Sequence, residues 1–254
     1  MRPRLIFLLP SLLCLASTCQ KCRKHHFERA HLLVESSFED SDPFLDWTND
    51  QHCCDYSLAQ STAKFTAGKS SLRLEVRSAD PMTSGSIRSE LTQPSENIGT
   101  ERWYGFKMYL ENWRDDSAGE HVFQWHPNNS TGVATASLWT SEGRYMYVTN
   151  NGGGNVGNEY TDLGPILSDQ WVSWVVHVKW ADDNTGIMQV WKNGSLVIDK
   201  SKIKTAPTEG TYFKLGINKF GWGIQPTTTT TRVLYFDEVR IGDENANYND
   251  VKPG

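Results

Sequence analysis

The sequence predicts an all-β fold, a two-sheet antiparallel sandwich of jelly-roll type. Three observations lead there. Short segments rich in Val, Trp, Tyr and Phe, many of them alternating apolar with polar, recur along most of the chain. Gly, Asn, Asp and Pro punctuate them, and no long stretch carries a capped helical period. The 254 residues are 38% hydrophobic, with 10 Trp, 9 Tyr and 10 Phe. That is enough for one sizeable core, and sandwiches of this length form a single domain.

Taken in order, residues 1–18 have the layout of a secretory signal peptide. Arg2 and Arg4 precede the apolar run 5–16 (LIFLLPSLLCLA), and Ala16, Ser17 and Thr18 supply small residues at its end. A membrane anchor or a buried helix would share this composition, but the run is too short for a span. No other segment is apolar enough to cross a bilayer. A secreted protein without membrane association after signal removal is therefore expected. Residues 19–33 then form an N-terminal arm, 34–245 the sandwich domain and 246–254 a C-terminal tail.

Secretion bears on the cysteines. Once Cys14 leaves with the signal, Cys19, Cys22, Cys53 and Cys54 remain, and four cysteines allow three connectivities. An oxidising compartment favours two bridges tying the arm to the 53–54 segment. A zinc site with His25, His26 and His52 is the alternative. Sequons at Asn128, Asn129 and Asn193 are compatible with glycosylation.

In the domain, "SLRLEVRS" alternates Leu72, Leu74 and Val76 against Arg73, Glu75 and Arg77. "WYGFKMYL", "HVFQWH", "RYMYVT", "WVSWVVHVKW", "IMQVWK", "SLVIDK", "YFKLGIN" and "VLYFDEVRIG" follow as strands. Asn193-Gly194 is a type I′ hairpin pair. Residues 152–154, 226–231 and 111–120 read as loops, of a kind that closes over grooves at a sandwich rim. The net charge of -5 argues against a non-specific nucleic-acid binder. It leaves room for an anionic substrate held by a local basic cluster. A monomer is expected.

Three strands carry unusual polar faces. Arg88 and Glu90 share a face of "SIRSEL", and Gln124 and His126 share a face of "HVFQWH". Tyr212, Lys214, Gly216 and Asn218 lie opposite Phe213, Leu215 and Ile217. On one concave sheet these would line a single groove.

In this order, R-S-E-L (88–91), Q-W-H (124–126) and Y-F-K-L-G-I-N-K (212–219) resemble the motifs of the jelly-roll polysaccharide lyases, which share a concanavalin A-like sandwich. Alginate lyases of this fold carry R-x-E-L, Q-x-H and Y-F-K-A-G-x-Y. The similarity is nearer to glucuronan lyases (polysaccharide lyase family 20) and heparin lyase I-like proteins. "GKSSLRLEVR", "ERWYGFKMYL" and "VLYFDEVRIGD" support it, and it spans roughly residues 34–243.

The resemblance implies β-elimination on a polyuronate, an acidic polysaccharide. The C5 proton is removed, the bond to O4 breaks, and an unsaturated sugar remains. Arg88 and Gln124 would neutralise the uronate carboxylate, and His126 would take or share the proton. Glu90 would orient Arg88, and Lys214 would hold a substrate carboxylate.

The family's proton-donating tyrosine falls at Asn218, where an amide cannot serve. Tyr212, some 20 Å along the strand, is read as too far away to replace it. Tyr147 is taken as the catalytic stand-in, with Tyr145 and Lys219 as further candidates beside the substrate. No cofactor is required for this chemistry. Resemblance to related folds implies a structural calcium ion at Glu39 and Asp237.

His177 reads as a hydrogen-bonded sheet histidine more readily than as a site residue. Trp113, Trp139 and Trp222 are candidates for stacking on sugar rings. Two rivals stay open. One is a carbohydrate-binding protein that kept the groove and lost the chemistry, for which Asn218 argues. The other is a glycosidase, which would need two facing carboxylates.

Overall fold

The computed structural model describes residues 30–128, 132–150, 157–207 and 209–254. The signal peptide, the arm up to residue 29 with Cys19, Cys22, His25 and His26, the sequon Asn129 and the loop 152–154 lie outside the described residues.

The strands among the described residues are, in chain order, β1 (Leu32–Ser36), β2 (Asn49–Gln51), β3 (Leu58–Ser61), β4 (Ser71–Arg77), β5 (Ile87–Thr92), β6 (Glu101–Glu111), β7 (Glu120–Pro127), β8 (Ala136–Ser141), β9 (Arg144–Asn150), β10 (Asn158–Pro165), β11 (Trp171–Lys179), β12 (Gly186–Lys192), β13 (Ser195–Ile203), β14 (Thr211–Lys219) and β15 (Thr231–Gly242). A single-turn helix, α1 (Tyr248–Val251), follows.

One sheet runs β13-β12-β11-β6-β15-β4-β3, with β1 also paired to β15. The other runs β10-β9-β8-β7-β14-β5-β2. All pairings between these strands are antiparallel. The expected all-β jelly-roll sandwich is what forms.

The inner faces of the two sheets make the core. Phe106 of β6 meets Phe123 of β7 edge-on, with centroids 5.0 Å apart. Trp125 and Phe213 approach to 5.1 Å across β7 and β14. Each such ring, fully buried, is worth about 1.5–3 kcal/mol in apolar transfer. The core therefore fixes which face of β7 and β14 points inward.

β14 keeps strict alternation, sending Phe213, Leu215 and Ile217 inward. Gly216, with φ 141°, lets β5 pass close by, since a Cβ there would lie 2.2 Å from the Ser89 carbonyl oxygen. β7 behaves differently. It pairs His121 with Trp139 and Phe123 with Leu138, so Val122 is an extra residue against β8. Val122 and Phe123 are both fully buried, and this bulge reverses the alternation beyond them.

The tail 246–254 is docked: Val251 is fully buried, and the Gly254 N–H donates to Glu238 at 2.7 Å. Of the features expected from sequence, the cysteine pairing differs. Cys53 and Cys54 are bonded to each other in the turn after β2, so neither thiol can tie down the arm. An oxidised pair also offers no thiolates to the zinc site considered from sequence. Among the described residues no helix is long and apolar enough to cross a membrane.

Candidate active site

The outer face of β8, β7, β14 and β5 forms the floor of a groove of about 470 Å³. Arg88, His121, His126, Tyr212, Asn218, Trp139, Ser86 and Gln51 line it. Cross-strand register orders them. His126 stands opposite Tyr212 at one end. At the other, the backbones of Trp139, His121, Asn218 and Arg88 form one row across four strands. The Arg88 guanidinium reaches back from that row to Glu90 and to Gln51, whose side chain also meets Lys214, two residues from Tyr212.

Glu90 organises the floor from beneath. Its carboxylate is fully buried and accepts from Lys214 Nζ at 2.6 Å, Gln124 Nε2 at 2.5 Å and Arg88 Nη1 at 3.1 Å. Gln51 Oε1 accepts from Lys214 at 2.8 Å and from Arg88 at 3.2 Å. Two cations against one carboxylate leave the floor with a net positive charge, and Arg88 is the cation that lines the open space. Ser86 Oγ accepts from Arg88 and donates to Asn218 Oδ1 at 2.6 Å. With that oxygen occupied, Asn218 has its NH₂ donors left for a ligand.

The two groove histidines differ. His126 Nδ1 lies 2.9 Å from the Pro127 carbonyl. A carbonyl only accepts, so Nδ1 carries the hydrogen, and neutral His126 keeps its lone pair on Nε2. Burial pushes its pKa down, keeping it neutral at working pH. His121 is more deeply buried, between the rings of Trp139 and Phe220. Burial, and after it the Lys214 ammonium, brings its pKa down to about 3. Its Nδ1 has no hydrogen-bond partner among the described residues.

Arg88, Glu90, Gln124, His126, Lys214 and Asn218 are thus brought together as the alternation predicted. Lys214 and Gln124, however, lie beneath the surface against Glu90, each 1% exposed. Lys214 holds the floor together and is not placed to hold a substrate carboxylate.

Three expected residues are not in the groove. Tyr145 and Tyr147 point into the core. The Tyr147 hydroxyl lies 3.3 Å from the Met188 sulfur of the opposite sheet, and Tyr145 packs edge-on against Trp174. Burial pushes the Tyr145 phenol up to about 12 and the Tyr147 phenol higher still. Either face of "RYMYVT" could have been the inner one, and the larger rings took the core.

Lys219 is fully buried on the inner side of β14, 3.0 Å from both Asp116 and Glu120. Glu120 also takes a two-bond grip from Arg232. Burial alone would raise the Asp116 carboxyl, but the Thr227 and Thr229 hydroxyls and Lys219 hold it well below the usual carboxylate range.

Glu39 and Asp237, the residues expected to hold calcium, accept backbone hydrogen bonds. Glu39 Oε1 accepts the N–H groups of Lys69 and Ser70. Asp237 Oδ2 accepts those of Thr66 and Ala67, and its Oδ1 that of Glu238. Backbone donors thus meet three of the four carboxylate oxygens. His177 stacks on Trp103 at 3.9 Å on the other sheet. Trp113 and Trp222 are buried, and Trp139 alone of the three proposed tryptophans lines the groove.

Sequence reasoning missed His121, Gln51 and Ser86. Strict alternation sets His121 on the face of Phe123, and the bulge at Val122 moves it to the other. Gln51 sits on a three-residue strand with no pattern to read, and Ser86 precedes β5.

The polysaccharide lyase family model matches residues 39–240. Among solved structures, the chain is similar to an endo-β-1,4-glucuronan lyase from the fungus Trichoderma reesei, with a TM-score of 0.69 and 21% identity over 82% of this chain and 94% of that one. It is also similar to an alginate lyase from Pseudomonas aeruginosa, with a TM-score of 0.55 and 17% identity over 75% of this chain and 87% of that one. A cellulose-induced protein aligns with a TM-score of 0.58 and 14% identity over 87% of this chain and 99% of that one. No curated protein matches the sequence. At these identities the structural likenesses show the fold, whereas the family match spans most of the sandwich. The chain belongs to the polysaccharide lyase family, and its activity class is that of a lyase.

Proposed function

We propose that the protein is a secreted lyase that cleaves a polyuronate of the glucuronan type by β-elimination. One observation carries this reading. Among the described residues lining the groove there is a guanidinium, two imidazoles, a phenol and amides, but no carboxylate. A polyanion could enter such a groove, whereas a glycosidase would need two acids there.

Arg88 is fixed by Glu90, Ser86 and Gln51, so it requires little reorganisation to meet a uronate carboxylate. Asn218 adds an amide donor beside it. Gln124 acts through Glu90, keeping that carboxylate in place under Arg88. The Nε2 lone pair of His126 faces the task of taking the C5 proton. The name of the glucuronan lyase with the same fold supports the choice of polymer.

A second reading is favoured by one residue. Asn218 stands where the family motif has tyrosine, and a groove that binds without cleaving would tolerate it. Incubating the protein with glucuronan, alginate and heparin separates the two. Ultraviolet absorbance from an unsaturated product, lost in His126→Ala, supports elimination. Binding with no new absorbance supports the carbohydrate-binding reading, and new reducing ends without absorbance would mean hydrolysis.

A further inference from the structure

With Asn218 unable to return a proton to O4, elimination needs another donor. Tyr145 and Tyr147 are in the core and Lys219 is locked between two carboxylates. The His126 imidazolium could return the proton it takes, and two further groove groups remain, His121 and Tyr212. Resting on the lyase reading above, we propose that Tyr212 is the catalytic residue that protonates the leaving O4, in partnership with His126.

The geometry carries the assignment. Tyr212 faces His126 directly in the β14–β7 register, with ring centroids 5.5 Å apart. Both line the groove, and the Tyr212 hydroxyl donates no hydrogen bond to a described residue. The separation of about 20 Å along β14 between Tyr212 and Asn218 is therefore not the relevant distance. What matters is the span from donor to base, and that is one strand wide.

The charge states agree with the roles. Burial and then the Glu90 carboxylate push the Tyr212 phenol up, so it keeps its proton until an alkoxide forms. His121 is held neutral, and a neutral imidazole could donate only by becoming imidazolate. It fits a binding role better than that of an acid.

The step balances without a co-reactant. His126 Nε2 takes the C5 proton, and the C–H electron pair moves onto the uronate carboxylate beside Arg88. That pair then forms the C4–C5 double bond as the C4–O4 bond breaks with its electrons on O4. The Tyr212 hydroxyl gives its proton to O4. The resulting imidazolium and phenolate are neighbours, and passing the proton from one to the other restores both.

The test compares the full chain with Tyr212→Phe, His121→Gln and His126→Ala on two substrates. One is glucuronan. The other is a glucuronide carrying 4-nitrophenol at O4, whose departure needs no proton. Tyr212→Phe is expected to lower kcat on glucuronan by about 10²–10⁴-fold, with KM changed less than about threefold and the nitrophenol substrate slowed less than about tenfold. His126→Ala should lose both substrates, and His121→Gln should affect both equally.

If the unaltered protein is active and Tyr212→Phe loses nothing, or loses both substrates equally, the assignment to Tyr212 is wrong while the lyase reading stands. If the unaltered protein forms no unsaturated product from either substrate, the lyase reading on this polymer fails and takes the assignment with it.

Discussion

Lys214 and Glu90 meet at 2.6 Å beneath the groove, with both side chains shut off from solvent. The pair is the keystone on which Arg88 and Gln124 rest. Lys214→Met would leave the Glu90 carboxylate with one cation fewer in a buried position. Breaking such a pair costs about 3–5 kcal/mol, so a clear drop in the urea midpoint is expected. Adding Glu90→Gln should cost less than the sum of the two single changes, with a coupling of about 0.5–3 kcal/mol. Additive effects would show that the pair does not act as a unit.

Asn218 is tied to Arg88 through Ser86. Asn218→Ala removes a donor to the substrate and loosens that tie, but leaves His126 and Tyr212 in place. KM for glucuronan should rise about three- to tenfold with kcat nearly unchanged, the pattern of lost ground-state binding. A large fall in kcat alone would assign Asn218 to the chemical step instead.

His121 makes stability depend on pH. Its pKa falls from 6.5 to about 3 on folding. Below pH 6.5 the unfolded chain therefore takes a proton that the folded chain refuses, and stability drops as pH falls toward 3. The slope from this one group is about 1.4 kcal/mol per pH unit. His126, whose pKa is also lowered, adds in the same direction. Urea melts at pH 7 and pH 5 should show His121→Gln losing less stability than the unaltered protein. Equal losses would mean that His121 is protonated in the folded state.

A Cβ on Gly216 would lie 2.2 Å from the Ser89 carbonyl oxygen of β5. Gly216→Ala combines a disfavoured backbone conformation with a clash on the Ser89 carbonyl. Together these should destabilise by roughly 2–5 kcal/mol, read as a lowered Tm. A neutral result would mean that the two strands separate at little cost.

Much of the site was legible because β14 and β5 obey strict alternation. The inward row Phe213, Leu215 and Ile217 forces Lys214 and Asn218 outward, and Ile87, Ser89 and Leu91 do the same for Arg88 and Glu90. Order along the chain then tied these strands to a family. The same rule failed at His121, because one extra residue at Val122 inverts the period and no turn residue marks the place. It failed at Tyr145 and Tyr147 for another reason. Tyrosine suits either a core or a groove, and only the volume available between the sheets decides.

The sequence by itself determined the sandwich, most of its strands, and the three polar faces with Asn218 as the odd member among them. These are properties of local period and composition, which neighbouring residues set. Tertiary structure alone decided what each polar group meets. It set Lys214 against Glu90, Lys219 between Asp116 and Glu120, and Tyr212 across from His126. Those pairings depend on which strands become neighbours, and in what register, among segments far apart in the chain.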